Sequence, residues 1–134
     1  MSPPHERPST ASEPRELAIQ ALYEADLRHH DRIEDPGRLP LRARRLAEGV
    51  LEERAELDTA IEAASEHWRV ERMPAVDRAI LRLGLYELRR HPELPAAVIV
   101  SEAVRIAKLF STERSGAFVN GVLATLARIE RPDG

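Results

Sequence analysis

The sequence predicts an all-α protein, and three observations carry that prediction. Ala, Leu, Glu and Arg dominate its 134 residues, and these are strong helix formers. Only 4% of residues are aromatic, which leaves a sheet short of the side chains it prefers. Apolar residues recur at helical spacing along about six segments, separated by proline or polar breaks. A chain of this length can bury one core without disulfides or metal clips.

The first element is preceded by residues 1–12, rich in Pro and Ser, which cannot sustain a helix and are expected to form a disordered tail. A helical domain is expected over 13–129, followed by a frayed tail over 130–134. Ser12 is positioned to cap the first helix, with Pro14 in the first turn, where a missing N–H costs nothing. That helix is expected to reach about Arg28. Leu17, Ala18, Ala21, Leu22 and Ala25 make one apolar stripe and Ile19, Tyr23 and Leu27 a second, so both sides call for neighbours.

Asp35-Pro36-Gly37 and Pro40 then predict a loop from about His29 to Pro40. Beyond it Leu46, Ala47, Val50, Leu57, Ile61, Ala64 and Trp68 keep one helical phase. This reads as one long helix, or two in line with a kink near Arg54 to Glu56. Pro74 opens the next helix, whose apolar residues (Val76, Ala79, Ile80, Leu81, Leu83, Leu85, Leu88) cover nearly the whole circumference, which makes it central. Its one polar stripe is basic: Arg78, Arg82 and Arg89, flanked by Tyr86. Either it is a solvated edge salt-bridged to neighbouring acids, or it recognises phosphate or acidic groups.

Pro95 starts a fifth helix to about Phe110, with Ala96, Ile99, Val100, Ala103, Ala107 and Phe110 on a core stripe. Ser101, Arg105 and Lys108, the only lysine, lie on its outer face. Residues 111–115 are a polar connection with two candidate caps for a sixth helix. In that helix Phe118, Val119, Val122, Leu126 and Ile129 lie on one side, and Ala117, Gly121 and Ala124 on the other. Glycine inside a helix is worse than alanine by about 1 kcal/mol. Asn120-Gly121 in this context therefore marks either a turn or a helix face that another backbone or a flat base approaches closely.

The chain has no Cys, which excludes disulfides, thiolate zinc sites and thiol nucleophiles. It has no apolar run of membrane-spanning length, and Pro3, Pro4, Glu6 and Pro8 stand where a signal peptide needs basic then apolar residues. A soluble, cytoplasmic protein with no membrane association is expected. No phosphate-binding glycine loop, nucleophile elbow or helical zinc pair is present, so neither catalysis nor a cofactor is expected. The net charge of −3 argues against a general nucleic-acid binder, but it is unevenly spread. Residues 1–68 hold nine Arg against fifteen acids, and residues 69–134 hold eleven Arg or Lys against eight. An anionic partner is expected to prefer the second half.

Three stretches together resemble the NusB family of transcription antitermination factors: Ala18-Ile19-Gln20-Ala21-Leu22-Tyr23; Pro74-Ala75-Val76-Asp77-Arg78-Ala79-Ile80-Leu81-Arg82 through Tyr86-Glu87-Leu88; and Ser101-Glu102-Ala103-Val104 through Lys108 to Phe118-Val119-Asn120-Gly121-Val122-Leu123. The resemblance covers about residues 15–127. It implies two packed three-helix groups and a non-catalytic function: binding boxA of ribosomal RNA leader transcripts with NusE, a small-subunit ribosomal protein, within the RNA polymerase antitermination complex. Carried onto matching positions, it implies RNA contacts at Arg15, Gln20, Tyr23, Lys108, Phe110, Phe118 and Asn120, and a protein-partner region at Asp77, Arg78 and Arg82. Tyr23 is suited to stack a base, whereas the helical wheels favour packing roles for Phe110 and Phe118. The chain departs from the family in its N-terminal arginine cluster, since only Arg7 and Arg15 precede residue 20, which weakens the electrostatic contribution. The alternative is a homodimeric or partner-binding helical module with reduced RNA binding.

Overall fold

The computed structural model describes residues 12–133, so residues 1–11, where the N-terminal tail and Arg7 were placed, lie outside the described residues. Among the described residues the chain forms six helices and no strand. They are α1 (Ser12–Leu27), α2 (Leu41–Glu52), α3 (Arg54–Ala64), α4 (Ala75–Arg90), α5 (Ala96–Phe110) and α6 (Glu113–Glu130), with short 3-10 turns at Pro36–Arg38 and Val70–Arg72. None is long and apolar enough to cross a membrane.

The region with an ambiguous sequence reading resolves into two helices, α2 and α3. The break falls at Glu53, just before the expected kink. Proline opens α4 and α5, with Pro74 and Pro95 at their N-caps. Thr112 caps α6, its side chain accepting a hydrogen bond from the Ser115 N–H at 3.0 Å. Helix α1 begins at Ser12 itself, and His29 just beyond its end adopts a left-handed conformation (φ 56°).

Helices α4, α5 and α6 pack against one another, and α1, α2 and α3 all lie against α4. Burial of Ala79, Ile80, Leu81, Leu83, Leu85 and Leu88 on α4 follows from that central place. Two glycines permit close approaches to the central helix α4. At Gly49 of α2 a Cβ would lie 2.2 Å from the Tyr86 hydroxyl, and at Gly84 of α4 it would meet Leu123 of α6 at 2.8 Å.

Ion pairs join the two helical groups. Arg15 of α1 donates to Glu87 of α4 at 2.7 Å, and both side chains are buried. Arg78 pairs with Asp26 at 2.5 Å, and Arg82 grips both oxygens of Asp58 at 2.7 and 2.9 Å. Arg90 holds Glu53 in the same two-toothed manner at 2.8 and 2.9 Å. At the far end α6 stays helical through Glu130, which pairs with Arg89 at 3.1 Å. Arg131, placed in the expected fraying tail, donates to the carbonyls of Leu94, His91 and Leu88.

Several expected stripes are corrected. Only Ile19 of the second α1 stripe is buried; Tyr23 is half-buried and Leu27 is exposed. On α6 the core face is Val119, Val122, Leu123 and Leu126, while Ile129 is exposed. Trp68 leaves the core phase altogether. Helix α3 stops at Ala64, and the chain reverses through Glu66 and His67, both left-handed (φ 59° and 68°), so the helical register of Leu57 and Ile61 does not reach it. Trp68 is 57% exposed.

Candidate functional site

The outer faces of α1, α5 and α6 join into one surface. Arg105 of α5 reaches across to α1, its Nη2 lying 2.6 Å from Glu16 Oε2. Gln20 is exposed one turn along α1 from Glu16, and Tyr23 follows on the same side. One turn beyond Arg105, Lys108 is exposed, and its stem lies over Gly116 of α6, where a Cβ would stand 2.7 Å from the lysine Cγ. The absence of a side chain at Gly116 gives the lysine stem its seat. The Lys108 ammonium is 3.7 Å from Glu113 Oε2, an exposed pair that solvent screens and a phosphate could displace. Asn120 is exposed on the next turn of α6.

Of the residues the family resemblance assigns to RNA, Gln20, Tyr23, Lys108, Phe110, Phe118 and Asn120 keep some exposure, and Arg15 does not. Arg15 is 3% exposed, and the buried Glu87 carboxylate engages its guanidinium. It is therefore corrected to a structural residue that ties α1 to α4. Phe110 is corrected in the other direction. Expected on a core stripe, it ends α5 with 39% of its surface exposed, beside the exposed Leu109. Phe118 is half-buried and meets Trp68 at a ring-centroid distance of 6.3 Å. Trp68 is the surface aromatic that sequence reasoning missed; the only available signal was the Ser65-Glu66-His67 stretch after Ala64, which has no apolar residue to sustain the phase.

Gly121 faces open space, since a Cβ there would meet nothing within 4 Å. No second helix packs on it, and Asn120-Gly121 is not a turn. With 3.6 residues per turn, Asn120 and Phe118 lie at opposite edges of an exposed arc of about 160°, with Ala117 and Gly121 between them. Arg114 and Arg128 lie on the same arc, and neither has an acidic partner among the described residues.

The region matched to a protein partner divides. Arg78 and Arg82 are held by Asp26 and Asp58 and are mostly covered, so their guanidinium groups are corrected to internal ties. Asp77 is different. It is 2% exposed, its Oδ1 has no hydrogen-bond partner, and it lines a cleft of about 450 Å³ with Trp68, Met73, Thr112 and Phe118. Burial pushes its carboxyl above the usual carboxylate range, with the Ser115 hydroxyl beside it acting in the opposite direction. No group of three or more His, Cys, Asp or Glu among the described residues is arranged to hold a metal ion.

The comparisons with known proteins agree with this architecture. The model of the NusB family matches residues 12–128. The transcription antitermination protein NusB of Acidothermus cellulolyticus is 46% identical over 122 residues, covering 84% of this chain and 83% of that protein. Among solved structures, NusB of T. maritima superposes with a TM-score of 0.75 at 31% identity, covering 90% of this chain and 92% of the other. A crystal structure of the antitermination factors NusB and NusE in complex with double-stranded RNA matches at a TM-score of 0.76 and 26% identity, over 88% of this chain and 96% of the other.

Proposed function

The chain belongs to the NusB family, and on that premise we propose that it is an RNA-binding transcription antitermination factor that recognises boxA of ribosomal RNA leader transcripts together with NusE. The reading is of a binding protein in the cytoplasm, working within an RNA polymerase antitermination complex, rather than of an enzyme. The observation that carries it is the continuity of the α1, α5 and α6 outer faces: the Glu16–Arg105 contact links Gln20 and Tyr23 to Lys108, and the Gly116 seat links Lys108 to α6. On that surface a cation, two amides and partly exposed aromatics are available together, the combination that single-stranded RNA recognition uses.

The cleft at Asp77 supports a protein partner. Its unpaired Oδ1 in an apolar setting calls for a donor from outside, and NusE is the partner this reading assigns to it. A second reading, a homodimer with reduced RNA binding, draws on Leu27, which leaves 55% of its surface exposed on the incomplete stripe of α1. Light scattering coupled to size exclusion separates monomer from dimer.

The deciding experiment is fluorescence anisotropy of a labelled boxA RNA against a scrambled RNA, with and without NusE, at two salt concentrations. Selective binding that tightens with NusE is the expected result. A salt slope near that of a few phosphate contacts is expected, given how few cations on this face are unpaired. Absence of selectivity even with NusE would overturn the RNA reading and leave the partner-binding module.

A further inference from the structure

We propose that Trp68 and Phe118 form the far edge of the RNA path: single-stranded RNA crosses α6 from Lys108 and Asn120, over the open strip of Ala117 and Gly121, and stacks a base on the exposed indole. The proposal rests on the RNA-binding reading above and extends it to a residue on the far side of α6.

Three observations carry it. Trp68 is 57% exposed at the end of a turn with two left-handed non-glycine residues, Glu66 and His67. Its ring leans on Phe118 in a tilted pair, so the two rings make one apolar ridge standing above the α6 surface. Between that ridge and the Asn120 edge the strip is floored by Ala117 and Gly121, with free space above Gly121. A backbone or a base can lie flat there without displacing a side chain.

Charge selects the occupant. Arg114 and Arg128 stand on the exposed arc without acidic partners among the described residues, one on each side of Gly121 along the helix, so a polyanion crossing at Gly121 passes between two cations. On the opposite wall of the groove Glu66 is the one acid among the lining residues. That carboxylate disfavours a phosphate beside Trp68 and leaves the contact there to a base. Base stacking on an aromatic ring is tolerant of sequence, so the ridge adds affinity rather than specificity.

The test uses the fact that Trp68 is the only tryptophan in the chain, which makes intrinsic emission a reporter on this residue alone. A boxA-containing single-stranded RNA is titrated while tryptophan emission and anisotropy of labelled RNA are read in parallel. Quenching that saturates with the anisotropy curve is expected. Trp68→Ala is expected to weaken RNA binding by about tenfold, about 1.4 kcal/mol, with no change in the salt slope because no phosphate contact is lost. Trp68→Phe keeps a stacking ring and is expected to recover most of the affinity, which guards against a variant that merely misfolds. RNA binding by anisotropy with unchanged emission would overturn the Trp68 assignment and leave the RNA reading standing. No binding at all would overturn both. Quenching by NusE alone, with none further on RNA addition, would give the ridge to the protein partner and overturn the proposal.

Discussion

Arginine plays opposite parts in two regions of this molecule. Around α4, Arg15, Arg78 and Arg82 face inward, each matched to a carboxylate across the boundary between the helical groups. On the exposed arc of α6, Arg114 and Arg128 have no acidic partner among the described residues. The difference explains the lopsided charge of the sequence. The acids of the first half (Glu16, Asp26, Glu53 and Asp58) meet Arg105, Arg78, Arg90 and Arg82 of the second. What reads as a basic half open to an anion is in part a set of ties across the seam between two groups of helices: Arg78 and Arg82 are mostly covered, and Arg90 and Arg105 stay at the surface. Cations left outside that pairing, or held only by exposed and screened acids as Lys108 is by Glu113, are the ones available to an anionic partner.

The sharpest way to break this comparison is to remove a cation from each region. Arg15→Ala leaves Glu87 buried without its charge partner and is expected to cost about 3–5 kcal/mol, read by urea or thermal unfolding. Arg114→Ala is expected to change stability by less than about 0.5 kcal/mol while lowering the salt slope of RNA binding by about one. If Arg15→Ala unfolded at the wild-type midpoint, the buried pair would not be what joins α1 to α4.

Next in size is Tyr23→Ala, which tests the outer face without touching the seam. Loss of a stacked base is expected to weaken RNA binding by about 1–3 kcal/mol by anisotropy, with the fold intact by circular dichroism. Unchanged affinity in a folded variant would remove Tyr23 from the site.

Asp77 lies between the two regions, buried as the seam is but lacking a cation. Its carboxyl is held above the usual range by burial, so the folded protein binds its proton more tightly than the unfolded chain does. The stability this contributes is full below the unfolded pKa and is lost as pH rises through the folded one. Above the folded pKa the buried charge is a liability, and Asp77→Asn is expected to raise the melting temperature there, with the gain shrinking as pH falls and the carboxyl takes up its proton. A gain that grew on acidification would mean the carboxyl is paired after all.

The helices were legible because their signals are local: proline at the starts of α4 and α5, Thr112 as a cap, and the all-round apolar pattern of α4. The site was legible only where family resemblance pointed, and there unevenly. Whether an arginine faces solvent depends on an acid as far away in sequence as Glu87 is from Arg15, which no periodicity reports. Trp68 was misplaced because a wheel assumes continued helix, and two left-handed residues in the turn end that assumption. Phe110 was misplaced because a stripe drawn through a helix does not say where its neighbour stops covering it.

Gly121 gives a small expected effect and the finest test of the open face. A methyl group there meets no atom within 4 Å, and no glycine among the described residues has a positive φ, so nothing in the described fold opposes Gly121→Ala. The change is expected to stabilise the helix by about 1 kcal/mol or less, because alanine loses less backbone entropy on folding. A larger side chain separates the two explanations of the glycine. If the strip is simply uncovered surface, Gly121→Leu leaves both stability and RNA affinity near wild type. If RNA lies across it, Gly121→Leu melts no lower than wild type yet binds RNA more weakly, because the leucine occupies the space a base or backbone needs. A fall in melting temperature for Gly121→Leu would instead mean that a neighbour packs closely on this face.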